Sequence, residues 1–140
     1  MNEIKEFKGE YYFLSNYFEA PVVFGGIKYC NTEAAFHAQK VGENTHLMQQ
    51  FSNLSPDKAK KLGRSIPLRT DWEDVKDRYM YEIVKAKFIQ HPELKDKLLA
   101  TGTATLIEGN NWNDKYWGVC NGKGKNKLGE ILMRIREELS

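Results

Sequence analysis

Glu33, Phe36, His37 and Lys40 fall at helical spacing in the segment Asn31-Thr-Glu-Ala-Ala-Phe-His-Ala-Gln-Lys40. With about 3.6 residues per turn, they share one stripe of a helix. A carboxylate, a ring, an imidazole and an amine on one stripe read as a site rather than a core face. A second carboxylate with aromatic company lies far downstream, in Asn113-Asp114-Lys-Tyr-Trp117-Gly118. Two carboxylates from distant segments suit cleavage of a glycosidic bond. When the C1′–N bond of a ribosyl group breaks, positive charge grows on the sugar and negative charge on the departing base. One carboxylate can stabilise the sugar cation while another group activates water or protonates the base.

Each residue also has a plainer reading. A Glu in the first turn of a helix gains from the helix dipole, and Asn-Asp in a loop is a common turn. Trp72 is either a core residue or a stacking wall for a base or ribose. Arg64 is either a bidentate phosphate donor or an exposed cation. The run Gly122-Lys-Gly-Lys-Asn126-Lys-Leu-Gly129 precedes a helix, whose exposed N–H groups attract anions, but it lacks the Gly-Lys-Ser/Thr ending of a Walker A loop. Lys123, Lys125 and Lys127 within it fit a solvated loop. His37, His46 and His91 show no metal-ligand spacing, and Cys30 and Cys120 make no Cys-x-x-Cys motif, so no metal and no cofactor is expected.

Several elements must position these residues. Val22-Val-Phe24, then Gly25-Gly26, then Ile27-Lys-Tyr29 predicts a β-hairpin. Thr32 is the expected cap of a helix carrying Glu33 to Val41, with Gly42 as its stop. Ser55-Pro56 opens another helix, which Gly63 is expected to end. Asp71 is the expected cap of a long helix with an apolar stripe of Val75, Tyr79, Ile83, Ala86 and Phe88. Pro92 should break that helix and start a shorter one ending at Gly102. Residues 105–108 resemble a short strand, and 109–127 a loop. A last helix carries Leu128, Ile131, Leu132, Ile135 and Leu139 at helical spacing. Nothing supports βαβ alternation, so a Rossmann sheet is not expected.

The chain has 140 residues, of which 41% are hydrophobic and 29% charged. That describes one ordinary globular domain, spanning 1–140. A net charge of +2 permits a phosphate ligand but is no nucleic-acid footprint. The charged N-terminus lacks the apolar run of a signal peptide, and no stretch is long enough for a membrane span. Free thiols and these absences suggest the cytoplasm and no membrane partner.

Taken in order, Phe13-Leu-Ser-Asn16, Thr32-Glu33-Ala-Ala-Phe36-His-Ala-Gln-Lys40, Gly63-Arg64, Asp71-Trp72, Asp114-Lys-Tyr-Trp117-Gly118, Gly124-Lys-Asn126-Lys-Leu-Gly129 and Leu132-Met-Arg-Ile-Arg136 resemble the NADAR (YbiA-like) family. The match runs from about residue 11 to 139. The resemblance implies a single compact, predominantly helical α+β domain with a few short strands. It implies N-glycosidase chemistry on ribosyl compounds, with Glu33, Asp114 and Trp72 catalytic. Leu14, Ser15, Asn16, His37, Lys40, Arg64, Trp117, Gly118 and Asn126 would then contact substrate. The chain departs from the family pattern at Ala34, His37 and residues 119–121, positions that bear on substrate choice.

Three functions follow. The first is hydrolysis of phosphorylated ribosyl intermediates of riboflavin biosynthesis. The second is removal of ADP-ribose from guanine bases of nucleic acid, which would make ADP-ribosylated nucleic acid a partner. The third is a non-catalytic module that binds ADP-ribose or NAD.

Overall fold

The computed structural model describes residues 2–140, which form two compact units: residues 16–91, and residues 2–15 together with 92–140. In chain order the elements are β1 (Glu3–Ile4), β2 (Val22–Phe24), β3 (Ile27–Tyr29), α1 (Thr32–Ala38), α2 (Thr45–Gln49), α3 (Pro56–Ser65), α4 (Trp72–Gln90), α5 (Pro92–Ala100), β4 (Thr105–Leu106) and α6 (Lys127–Leu139). Short 3₁₀ turns occupy Gly9–Leu14 and Gln39–Val41. Helices dominate and the strands are only two or three residues long, so the fold is α+β and mainly helical, as expected.

Residues 16–91 open with the expected hairpin. Val22 pairs with Tyr29 and Phe24 with Ile27, across Gly25 and Gly26 at φ of 59° and 82°. Two successive left-handed residues match the twist of the flanking strands, which is why glycine serves at both. α1 starts one residue away from the expected cap. Asn31, not Thr32, accepts the Ala34 N–H on its side-chain oxygen at 2.7 Å. Thr32 is instead the first helical residue, and its hydroxyl donates to Asn16 Oδ1 at 2.8 Å. The helix tightens into the 3₁₀ turn and stops at Gly42, whose φ is 68°.

α3 begins as expected, with Ser55 capping Lys58 N–H and Pro56 at the first helical position. Gly63 does not end it, because the helix continues to Ser65 with that glycine buried inside. Asp71 stands at the α4 cap position without capping; its carboxylate grips Arg69 at 2.6 and 3.1 Å instead. The buried face of α4 is Trp72, Met80, Ile83, Val84, Lys87 and Phe88. Ile83 and Phe88 of the expected stripe lie on it, whereas Val75, Tyr79 and Ala86 are only half-buried. Ala34, Ala35 and Ala38 are fully buried on α1, and α1 packs on both α3 and α4. Small side chains let the helix backbones approach closely.

In the other unit, β1 pairs parallel with β4, matching Ile4 to Leu106. Pro92 ends α4 and opens α5, and Gly102 at φ 63° ends the turn after it. α6 buries Leu128, Leu132 and Ile135 and packs on α5 and β4. Ile131 and Leu139, from the same expected stripe, are half-buried. Ile4, Phe7, Phe13, Leu14, Leu98 and Leu106 complete that core. Among the described residues, no helix is long and apolar enough to cross a membrane.

Candidate active site

Glu33 lies in the first turn of α1, with its side chain 14% exposed. Its backbone N–H donates to the Asn16 carbonyl at 3.3 Å, and His37 Nε2 lies 2.8 Å from its Oε2. The i,i+4 spacing that placed these two residues on one stripe therefore yields a real contact. Phe36 packs edge-on against the His37 ring, with centroids 5.5 Å apart, and against Trp72 at 5.1 Å. Trp72 also stacks on Tyr79 at 6.5 Å and carries Lys40 Nζ 5.9 Å from its ring. It is thus a mostly buried residue with a cation beside its ring.

Lys40 is half-buried, and burial lowers its amine below the usual lysine range. Glu33 opposes that shift, while the cations Arg64, Lys60 and Lys76 add to it. These influences place Lys40, Glu33 and Arg64 in one electrostatic neighbourhood. Arg64 itself is exposed in the last turn of α3.

Tyr17 belongs to the same neighbourhood and was not singled out by the sequence. Burial raises its hydroxyl above the usual tyrosine range, helped by the Glu33 charge and by a hydrogen bond to Asp57. Arg64 acts against that shift. The only local sign of Tyr17 is that it follows Asn16. Asn16 is itself buried, accepting from Thr32 and donating to Met80 Sδ at 3.3 Å. Its amide ties the chain before Tyr17 to the start of α1.

Asp114 lies in the other unit, in the loop before α6. Its Oδ1 accepts the Tyr116 and Trp117 N–H groups at 3.1 and 2.9 Å, closing a tight turn. Asn110, also not singled out by the sequence, organises this loop. It accepts Asp114 N–H at 3.0 Å and donates to the Asp114 carbonyl at 2.9 Å and to Glu108 Oε2 at 3.0 Å. Gly118 is buried where a Cβ would collide with the backbone and carboxylate oxygens of Glu108. Trp117 is half-buried beside Tyr116, their ring centroids 4.9 Å apart.

Asn126 is buried at φ 54°, with its amide engaged by backbone: it accepts Glu108 N–H at 2.9 Å and donates to the Leu106 carbonyl at 2.9 Å. Leu14 is a core residue, and Ser15 follows it at the end of the first 3₁₀ turn. Among the described residues, no group of three His, Cys, Asp or Glu side chains is arranged to hold a metal.

His37 bonds the Glu33 carboxylate, Lys40 shares its electrostatic neighbourhood with Arg64, and Trp72 lies beside Lys40. Known proteins resemble this chain over most of its length. N-glycosidase YbiA of Shigella flexneri is 43% identical over 129 residues, covering 90% of this chain and 80% of that protein. A riboflavin biosynthesis protein of Vibrio vulnificus is 34% identical over 91% of this chain but only 35% of its own length. The NMR structure of Escherichia coli YbiA superposes with a TM-score of 0.85 and 39% identity, covering 98% of this chain and 83% of that one. The NADAR domain pattern itself matches residues 4–140, and by that match the chain belongs to the NADAR domain family.

Proposed function

We propose that the protein is an N-glycosidase that hydrolyses the C1′–N bond of a phosphorylated ribosyl compound. The observation that carries this reading is the Glu33 carboxylate, held by His37 in a neighbourhood that also holds Lys40 and Arg64. Relatives named N-glycosidase and riboflavin biosynthesis protein support it, and they favour an intermediate of riboflavin biosynthesis as the substrate.

Glu33 stabilises the ribosyl cation as the C1′–N electron pair leaves with the base. Water adds its oxygen to C1′, and its proton ends on the departing nitrogen, so sugar and base are released intact. Lys40 and Arg64 meet the substrate phosphate. Trp72 supplies an apolar wall beside Lys40. For Asp114 we propose a part in handling the water or the base, to be tested apart from Glu33 because its Oδ1 also closes the 114–117 turn. Trp117 and Gly118 take their places from that turn, and Leu14, Ser15, Asn16 and Asn126 are further substrate contacts of this reading.

Residues 1–140 are read as one functional domain, working in the cytoplasm. The test is product analysis by mass spectrometry on a phosphoribosylamino-pyrimidine and, in parallel, an ADP-ribosylated guanine oligonucleotide. Release of the pyrimidine is the expected result. Release of ADP-ribose alone would move the substrate to modified nucleic acid. Saturable ADP-ribose binding without any product would replace the enzyme with a binding module.

A further inference from the structure

The His37 ring is placed to act on Glu33 rather than on a ligand. Its side chain is 9% exposed, and Nε2 reaches Glu33 Oε2 at 2.8 Å. Nδ1 is buried without a hydrogen-bond partner. This pattern selects one tautomer. Hydrogen on Nε2 donates to the carboxylate and leaves only a bare acceptor on the buried side. Hydrogen on Nδ1 would bury an unmatched donor and turn a lone pair toward the carboxylate.

Gly63 explains how the ring keeps this pose. It lies inside α3, where glycine disfavours helix, and it has no positive φ that would call for glycine. A Cβ there would fall 2.7 Å from His37 Nδ1 and 3.1 Å from its Cγ. Only a hydrogen fits between the ring and the helix.

We propose that His37 is a positioning residue of the hydrolysis: its Nε2–H fixes the Glu33 carboxylate in one orientation, and the missing side chain of Gly63 seats the ring that does so. The proposal rests on the reading of Glu33 as the carboxylate that stabilises the ribosyl cation. A Glu side chain has three rotatable torsions, and a held carboxylate avoids the misplacement that costs an enzyme rate.

The test is steady-state kinetics of wild type, H37F, H37Q, G63A and E33Q on a phosphoribosylamino-pyrimidine, with thermal unfolding followed by circular dichroism. H37F is expected to lower kcat by about 10- to 100-fold, the scale of a displaced catalytic group, with KM changed less than about threefold. H37Q should recover most of kcat, because an amide N–H four residues after Glu33 reaches the same oxygen. G63A should resemble H37F, since the added methyl displaces the ring. If H37F does not fold, G63A against H37Q makes the same comparison.

A raised KM with intact kcat in the His37 variants would make His37 a substrate contact and overturn the proposal. So would folded H37Q and H37F variants impaired to the same degree. Full activity in E33Q would bring down the reading of Glu33 itself, an outcome separate from any His37 result.

Discussion

Trp72 shows how one side chain serves both structure and site. Its ring lies between Phe36 and Tyr79, with Lys40 alongside. W72A removes a buried aromatic and is expected to cost about 3–5 kcal/mol of stability, measured by urea unfolding. W72F keeps much of the packing. It should leave a folded enzyme whose KM rises, because the narrower ring shortens the wall beside Lys40. At this scale the sequence was informative where partners are near in the chain. Glu33 and His37 could be read as neighbours because four residues make one helical turn. Tyr17 and Asp57 could not, since they lie forty positions apart in the chain. Gly63 misled for a related reason: near a helix end, a glycine signals a stop unless the ring packed on it is known.

Elements place the second carboxylate. The loop from β4 to α6 contains little regular structure, and the polar side chains of Asn110, Asp114 and Asn126 hold its shape. Asn126 satisfies the Glu108 N–H and the Leu106 carbonyl, joining the end of β4 to the start of α6. N126A would take that partner from the buried Leu106 carbonyl and from the half-buried Glu108 N–H. It is expected to destabilise the protein by about 2–4 kcal/mol and to lower the hydrogen-exchange protection of Glu108. The periodic helices and the Gly-Gly hairpin were legible because their signals are local. The loop was legible only as a loop, since its order comes from single hydrogen bonds such as those of Asn110. Cap residues fall between these cases. Asn31 and Thr32 are adjacent and both can cap, and the contact of Thr32 with Asn16 decides between them.

The stability of the whole molecule carries a cost set by Lys87. This lysine is buried in α4 with its amine near the Phe18 and Phe88 rings, and burial pushes it down from the ordinary 10.5 to about 7. Between those values the unfolded chain binds the proton and the folded chain does not. Stability therefore rises with pH from about 7 to 10, by up to about 1.4 kcal/mol per pH unit from this group. Urea unfolding at a series of pH values should show K87M with a flatter rise than wild type. Equal slopes would mean that Lys87 keeps its proton when folded. Nothing in the helical pattern announces this residue, because a lysine in an amphipathic helix ordinarily marks the solvent face.

The most direct test of Glu33-dependent hydrolysis is mass spectrometry of the reaction run in ¹⁸O-labelled water with wild type and E33Q. Wild type is expected to release the free base and a ribosyl product carrying one ¹⁸O at C1′, while folded E33Q releases almost none. Equal release by E33Q, or a sugar product without the label, would contradict it.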